Sequence, residues 1–487
     1  MKHLNPEKFL ILKQDPSAKA IVSSSITYTF DELRKKVLST AMYLKSKNIS
    51  SKQRVAIISN NSVDFVINVL ALWQISAVPV PINIKLNQSE IEEQITLAGC
   101  TSALVTREFH NSLNSKSIKI IELPFDVINE NTFSGKDELS VNDPAVIIFT
   151  SGSSSKCKGI ILSFNSLYNS ALNGNQLLRY TRSDRWLASL PFYHVGGFSI
   201  ISRAILFGIP LIIPDSLSTT NLKDAIMKWQ PTFISLVAAQ LKKLIDEGIN
   251  PNPELKNCLI GGGFSDYELV RKAYELGWPV NIVYGSTETS SFVTALLKDE
   301  IIIKPNSAGR AIPTNEIFIF DSEGNDLKPF EIGEIIIRSN ALMSGYLNED
   351  ETKQVLKDGF YHTGDIGYLD EDGYLFVEGR KNFLISTGGE NVNPIEVEKA
   401  LLKHPLIAEA AVFPLKDKEW GEIIAAAVVK KVNSHELSYD DIKTFLTDKI
   451  SGYKIPKKIF FEDKLPKTEL GKTEKDKLIK RYRLTSL

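Results

Sequence analysis

The chain has 487 residues, more than one compact core accommodates, so we expect at least two domains. Hydrophobic residues make up 43% and charged residues 24%, the balance of an ordinary globular protein. A net charge of −1 favours neither nucleic acid nor a membrane surface as a partner. The three cysteines, Cys100, Cys157 and Cys258, lack the spacing of metal or redox motifs, which favours a reduced, cytoplasmic location.

Strand-like and helix-like runs alternate over most of the chain. The first are a strand at 28–30, a helix at 31–47, a strand at 54–59, a helix at 62–74 and a strand at 77–82. The longest apolar stretch, residues 65–82, contains polar residues and two prolines, so it predicts a buried helix and strand and no integral membrane segment. This alternation predicts parallel sheets covered by helices.

The pattern changes near Gly379. Residues 364–379 are typical of a β-hairpin, and the segments beyond them predict two helices and two strands. We therefore expect a large α/β N-terminal domain with parallel sheets, helices and a β-rich subdomain (residues 1–380), and a small α+β C-terminal domain (residues 381–487). From Ser451 onward eleven Lys/Arg face five Asp/Glu, which indicates either a solvated basic face or an anionic partner such as phosphates.

A short apolar strand, residues 145–149, leads into a loop rich in glycine and hydroxyl side chains. Such a loop can surround an anion with N–H and O–H groups, and Lys158 adds a positive charge. The order of glycines and lysine is not that of a Walker A loop, and a plain polar loop remains an alternative. The candidate phosphate-binding residues are Thr150, Ser151, Gly152, Ser153, Ser154 and Lys158.

Two later strands end in residues that suit a nucleotide. Gly262 and Gly263 follow the strand at 258–260 and permit close approach of a flat ligand, although a tight turn is an equal alternative. Residues 284–288, Tyr-Gly-Ser-Thr-Glu, follow the strand at 280–283 and combine a hydroxyl with a carboxylate, as a magnesium–nucleotide site requires. A capped helix start is the alternative there.

These motifs resemble, in chain order, those of the adenylate-forming superfamily, which includes acyl-CoA synthetases, peptide-synthetase adenylation domains and luciferases. The resemblance runs from about residue 28 to residue 477. Ser155 and Cys157 depart from it, because glycine and proline are usual at those loop positions. The resemblance implies an enzyme that uses ATP, Mg²⁺ and coenzyme A to join a small carboxylic acid to the coenzyme A thiol through an acyl-adenylate.

The resemblance also implies residue roles in nucleotide binding. Tyr284 and Gly285 are expected beside adenine, Thr287 at the α-phosphate and Glu288 on Mg²⁺. Asp365, in a Thr-Gly-Asp motif, and Arg380 are expected at the ribose.

Three further implied sites lie near or beyond the predicted domain boundary. Lys472, in Pro-Lys-Thr-x-x-Gly-Lys, is expected to bridge the carboxylate and the α-phosphate. Asn382 occupies the position of the hinge between the two half-reactions. The loop Gly388, Gly389 and Glu390 is similar to the one that approaches the pantetheine arm of coenzyme A.

The acid is indicated by the sequence around His194, which is expected to line or gate the acyl pocket and joins Lys472 and Thr287 in the predicted catalytic set. Residues 195–207 are apolar apart from two serines and Arg203, which suits an aromatic or alkyl body with a second carboxylate. With residues 235–237 and Gln240, this pattern resembles the o-succinylbenzoate–CoA ligases of menaquinone biosynthesis. Ala238-Ala239 departs from the Pro-Thr that is usual before that glutamine.

Other interpretations stay open. One is a CoA ligase for another aromatic or medium-chain acid. Another is an adenylation module that loads a carrier protein, although no carrier-protein segment adjoins it. A third is a non-catalytic nucleotide-binding member of the superfamily. Neither nucleic acid nor a membrane is expected as a partner, and the sequence allows a homodimer.

Overall fold

The computed structural model describes residues 14–113, 118–123, 139–151, 157–263, 267–381, 385–387, 390–417, 421–431, 437–468 and 471–483. Within these ranges no helix is both long enough and apolar enough to cross a membrane. The apolar stretch at 65–82 is a buried helix followed by a buried strand, as the sequence predicted.

Several of the α-helices in these ranges begin at a side chain that caps them. Thr29 and Glu32 form a capping box at the first helix, and Ser62 caps the second. In chain order the helices are α1 (Phe30–Ser46), α2 (Val63–Gln74), α3 (Gln88–Ala98), α4 (Phe164–Leu178), α5 (Val195–Phe207), α6 (Thr219–Trp229), α7 (Ala238–Asp246), α8 (Tyr267–Glu275), α9 (Glu349–Val355), α10 (Pro394–Leu402), α11 (Tyr439–Thr447) and α12 (Lys475–Arg483).

The strands are mostly short and apolar. In chain order they are β1 (Lys19–Val22), β2 (Thr27–Thr29), β3 (Arg54–Ile58), β4 (Val78–Pro81), β5 (Ser102–Thr106), β6 (Lys119–Leu123), β7 (Pro144–Ser151), β8 (Cys157–Ser163), β9 (Trp186–Leu187), β10 (Leu211–Ile212), β11 (Phe233–Leu236), β12 (Asn257–Ile260), β13 (Val280–Ser286), β14 (Ser291–Leu296), β15 (Gly309–Ala311), β16 (Asn315–Phe320), β17 (Gly333–Ser339), β18 (Gly345–Tyr346), β19 (Leu356–Lys357), β20 (Phe360–Leu369), β21 (Tyr374–Arg380), β22 (Ile385–Thr387), β23 (Glu390–Val392), β24 (Ile407–Asp417), β25 (Gly421–Lys430) and β26 (Lys458–Glu462).

The chain divides into two compact units. The first comprises Met1–Ile317 and Ile337–Tyr361, and the second Phe318–Ile336 and His362–Leu487. The second unit therefore takes in β-rich sequence that precedes the predicted boundary at residue 381. The division at 380/381 stays a prediction about which part moves.

The first unit contains the predicted parallel sheets. One has the order β4-β3-β5-β6, parallel throughout. In another, β1-β10-β9-β11-β12-β13 are parallel, and β2 and β14 add antiparallel strands at either side. The third sheet, β18-β8-β7, is antiparallel. The fold class expected from the sequence is confirmed for this unit.

The second unit contains the predicted hairpin and the small α+β fold. Strands β20 and β21 pair antiparallel, with Asp365 opposite Arg380. Further along the chain, β24 and β25 form a long hairpin to which β26 adds in parallel, and α10 and α11 share one apolar core with this sheet. The two helices and two strands predicted beyond Gly379 are confirmed, and the structure adds the strands β22, β23 and β26 and a third helix, α12.

Gly309 offers a test of the packing in the first unit. Its φ is +83°, and a Cβ there would lie 1.8 Å from the carbonyl carbon of Ala295. Gly309→Ala should lower the free energy of unfolding by about 2–5 kcal/mol, because left-handed strain adds to a backbone overlap. Gly277 has a φ of +84° with open space around it, so Gly277→Ala should cost only the strain, about 1–2 kcal/mol. Equal losses in denaturant unfolding would contradict the packing argument.

Candidate active site

Four neighbouring parallel strands bring distant sequence motifs to one edge of a sheet. Strands β9, β11, β12 and β13 lie side by side, with Leu187 opposite Ile234, Ile234 opposite Cys258 and Cys258 opposite Val280. In a parallel sheet the carboxyl ends share an edge, where open α/β folds bind ligands. The residues that follow these strands at that edge are His194, Gln240, Gly262, Gly263, Thr287 and Glu288.

One of the two predicted glycines after β12 has a backbone conformation that favours glycine. Gly262 has a φ of +84°, a conformation that side-chain-bearing residues rarely adopt. At Gly261 a Cβ would meet Val283 Cγ2 at 2.8 Å, so this turn lies directly against β13. The backbone here closely approaches the strand that carries Tyr284.

The motif at residues 284–288 lies in a hairpin. Strand β13 continues through Ser286, three residues beyond the predicted end, and pairs antiparallel with β14. Residues 287–290 form the turn, in which Thr289 Oγ1 accepts from Ser286 N at 2.8 Å. The alternative of a capped helix start is therefore wrong. The turn places Thr287, only 7% exposed, and the half-buried Glu288 at the sheet edge.

The predicted phosphate loop joins β7 to β8. Thr150 lies opposite Lys158 across this antiparallel pair, so the strand pairing fixes the distance between these two residues. Gly152, Ser153 and Ser154 lie outside the described residues, as does the side chain of Ser151. Lys158 Nζ lies 3.5 Å from Glu351 Oε1 and 4.9 Å from the centre of the Tyr346 ring.

Tyr346 connects Lys158 with Glu288. Its hydroxyl donates to Glu288 Oε1 at 2.8 Å while its ring lies beneath the lysine ammonium. Strand β18 brings it there, since Tyr346 pairs with Ile160 of β8. No role for Tyr346 or Glu351 followed from the sequence, because only the pairing of β18 with β8 brings this part of the chain beside Lys158.

Two tyrosines face the Glu288 carboxylate. Tyr346 and Tyr361 are 6% and 4% exposed. Burial raises the pKa of both hydroxyls, and the nearby Glu288 charge raises each pKa further. Both therefore stay protonated at neutral pH, and Tyr346 acts as a permanent hydrogen-bond donor to Glu288.

The side chains around Glu288 suit a metal ion that is bound jointly by the protein and by substrate phosphates, rather than by protein ligands alone. Among the described residues no three His, Cys, Asp or Glu side chains cluster as a metal site would require. Mg²⁺ commonly uses one or two carboxylates together with substrate phosphates and water. The single carboxylate of Glu288, next to the phosphate-loop lysine, fits that mode of binding.

The acyl-side residues have mixed surroundings. His194 is half-buried at the N-terminus of α5, with its ring centre 4.8 Å from that of Tyr193. Gln240 Nε2 donates to Ser189 O at 3.0 Å, and its Oε1 accepts from Val237 N at 3.1 Å. Gln240 thus links the backbone after β9 to the backbone after β11 at the same sheet edge. The sequence did not indicate these contacts.

Arg203 is buried without a carboxylate partner among the described residues. It is 2% exposed, its Nη1 donates to Ser199 Oγ at 3.0 Å, and its guanidinium lies 4.7 Å from the Phe292 ring centre. Burial lowers its pKa, and its Nε has no hydrogen-bond partner. Its Nη2 donates to Ser170 Oγ at 3.4 Å, so the partners of the guanidinium among the described residues are hydroxyls and aromatic rings.

The second unit brings three predicted residues together. Arg380 Nε donates to Asp365 Oδ1 at 2.8 Å. The Lys472 residue as a whole is exposed. Its ammonium group, however, is surrounded by protein and partly desolvated. That desolvation lowers the pKa of Lys472; the positive charge of Arg380 lowers it further, and Asp365 partly offsets this. Lys472 therefore lies beside the predicted ribose-binding pair.

Glu334 holds the turn that carries Asp365. Its Oε1 accepts from Gly364 N at 3.2 Å and its Oε2 lies 3.2 Å from Lys381 Nζ. Glu334 lies in a segment that resembles a family motif, and its contact with this turn is visible only in the structure. The hinge residue Asn382 and the loop residues Gly388 and Gly389 lie outside the described residues, and Glu390 begins β23.

The carboxyl-terminal edge of the parallel sheet lies next to the β7–β8 hairpin, which carries Lys158. Together with the smaller α+β unit, this arrangement is typical of a nucleotide-binding α/β enzyme. The sequence profile of the AMP-binding enzyme family matches residues 11–347, and that of the AMP-binding enzyme C-terminal domain matches residues 396–472. The chain belongs to the AMP-binding enzyme family.

Two proteins to which the chain is similar have a more specific activity in their names. The chain is 33% identical over 458 residues, 93% of each chain, to the 2-succinylbenzoate–CoA ligase of Bacillus thuringiensis subsp. konkukian (strain 97-27). It is also similar to the structure of o-succinylbenzoate CoA synthetase from Bacillus subtilis in complex with the acyl-adenylate intermediate, at 29% identity and a TM-score of 0.90 over 97% of this chain and 98% of that one. The same Bacillus subtilis protein in complex with ATP and magnesium ion matches with 29% identity and a TM-score of 0.88 over 97% and 99%.

Proposed function

We propose that this protein is an ATP-dependent acyl-CoA ligase that converts o-succinylbenzoate into o-succinylbenzoyl-CoA through an acyl-adenylate, a step of menaquinone biosynthesis. The observation that carries the proposal is the arrangement of Lys158, Tyr346 and Glu288 beside the acyl-side residues at one sheet edge. The similarity to 2-succinylbenzoate–CoA ligases over 93% of the chain supports the choice of acid. We further propose a cytoplasmic location, and a homodimer remains a prediction that light scattering can check.

The first half-reaction requires two anions to meet. A carboxylate oxygen of the acid attacks the α-phosphorus of ATP, the bond to pyrophosphate breaks, and a mixed anhydride with AMP forms. Glu288 is the residue that would hold Mg²⁺, which supplies charge neutralisation at the phosphates when bound. Lys158 and Lys472 supply further positive charge, Thr287 contacts the α-phosphate, and Tyr284 and Gly285 lie against adenine.

The remaining residues hold the substrates in place. Thr150, Ser151, Gly152, Ser153 and Ser154 contact phosphate, Gly262 and Gly263 lie beside the adenine and acyl groups, and Asp365 with Arg380 binds the ribose. His194 lines the acyl pocket, and Gln240 contributes by fixing the pocket backbone. Together these residues would hold the carboxylate and the α-phosphate close together and correctly oriented, which lowers the entropic cost of the reaction.

In the second half-reaction the coenzyme A sulfur attacks the acyl carbon. AMP leaves with the electrons of the anhydride bond, and the thiol proton is released. Gly388, Gly389 and Glu390 guide the pantetheine arm, and a rotation about Asn382 exchanges the residues that face the acyl carbon. Both assignments rest on the family resemblance.

The direct test is a panel of acids with the wild-type protein. Pyrophosphate release should require ATP, Mg²⁺ and an acid, and o-succinylbenzoate should have the highest kcat/KM. Adding coenzyme A should yield the thioester and AMP in equal amounts. Preference for a medium-chain or simple aromatic acid would favour the generic ligase, and no release with any acid would leave only the non-catalytic interpretation.

Lys472 should act in one half-reaction only. Lys472→Ala should slow adenylate formation on the order of 10²–10³-fold, because a positioned positive charge is lost. Thioester formation from pre-made acyl-adenylate should be spared. Lys477, whose Nζ lies 2.7 Å from Glu474 Oε2, provides the matched control, and Lys477→Ala should change neither step. A similar loss in both steps would remove Lys472 from its assigned role.

Arg203 is proposed to bind the second carboxylate of the acid, since it is buried without a carboxylate partner in the described chain. Arg203→Ala should then weaken kcat/KM for o-succinylbenzoate by about 2–5 kcal/mol, the cost of breaking a buried charged pair. A phenylbutanoate, which lacks that carboxylate, should react almost as with wild type. If both acids lose equally, Arg203 is structural.

A further inference from the structure

The connection between β9 and α5, residues 188–194, is held by side chains from other elements; we call it the His194 loop. Asn61 Oδ1 accepts from Phe192 N at 2.8 Å, and its Nδ2 donates to Leu190 O at 2.8 Å. Both bonds reach the backbone, one on each side of Pro191. A single side-chain amide therefore fixes the middle of the loop.

Asn61 itself lies at a rigid position. It lies three residues after the end of β3 and precedes Ser62, the residue that caps α2. Three residues into that helix, Phe65 packs against Phe192 of the loop with ring centres 5.1 Å apart. The contact between the β3–α2 connection and the loop thus combines two directional hydrogen bonds with a buried aromatic pair.

Two further contacts restrict the same loop from the other sides. Gln240 Nε2 donates to Ser189 O at 3.0 Å. Gly197 of α5 approaches the loop so closely that a Cβ there would lie 2.1 Å from Pro191 O. The loop ends at His194, whose carbonyl accepts from Phe198 N at 2.8 Å in the first turn of α5.

The direction of His194 therefore depends on a loop whose backbone is tied to Asn61. Leu190 O and Phe192 N find these partners in an amide, which offers one acceptor and one donor at the required spacing. An apolar residue at position 61 would leave both backbone groups without those bonds, and the loop would rearrange to recover them.

We propose that Asn61 is a positioning residue of the acyl pocket, which acts on the carboxylic acid substrate by fixing the His194 loop. This inference rests on the proposed function, because it takes the loop as one wall of the acid-binding pocket. It assigns Asn61 to acid binding rather than to ATP binding. The distinction is measurable, since the two substrates have separate KM values.

The experiment compares Asn61→Asp with Asn60→Asp. The first change is isosteric, keeps the acceptor for Phe192 N and loses the donor to Leu190 O. The second is the same change one residue earlier, at an exposed side chain that binds Glu108. Asn61→Asp should raise the KM for the acid on the order of tenfold, the equivalent of one lost hydrogen bond, with the KM for ATP and the unfolding temperature nearly unchanged. Asn60→Asp should leave both KM values as in wild type.

Asn61→Leu, which removes both bonds without adding a charge, serves if Asn61→Asp fails to fold, and it should raise the acid KM further. Equal rises in the KM for acid and ATP, or a loss confined to stability, would overturn the assignment. Unchanged kinetics in both Asn61 variants would also overturn it while the proposed function stands. A wild-type protein inactive with every acid would instead refute the proposed function, and this inference with it.

Discussion

The parallel register of β9, β11, β12 and β13 is the constraint on which the site depends. Backbone hydrogen bonds set Leu187, Ile234, Cys258 and Val280 in one row. Because each strand leaves that row at the same edge, residues separated by about ninety positions in sequence meet without any direct bond between them. A slip of one residue would reverse the faces of a strand and separate His194 from the glycine turn and Glu288.

Much of this could be read from the sequence because it is encoded locally. The alternation of apolar runs predicted the parallel sheets and the helix at 62–74, which the structure places at Val63–Gln74. Lys158 and Glu288 stand in motifs whose residue types already suit anions and metal, so their proximity was predictable even though their contacts were not. Lys472 was indicated only by the resemblance of its motif to that of the family.

What the sequence could not provide depends on pairing between distant strands. Tyr346 reaches Glu288 only because β18 lies beside β8, a register that no local pattern encodes. The extension of β13 into a hairpin follows from its pairing with β14, whereas Ser-Thr before Glu is equally typical of a helix cap. Asn61 escaped notice for the same reason, since its partners lie about 130 residues away.

The two lysines of the proposed mechanism are held in different electrostatic states. Lys158 has a carboxylate 3.5 Å away and an aromatic ring beneath it, and both charged side chains of the pair are partly exposed, at 23% and 29%. Lys472 forms no ion pair within the described residues, and both desolvation and Arg380 disfavour its charged form. A cation held this way gains more from an incoming anion than a solvated one does. In the proposed mechanism, phosphate would therefore replace Glu351 as the partner of Lys158, whereas Lys472 would gain its negative partner from the reacting carboxylate and the α-phosphate.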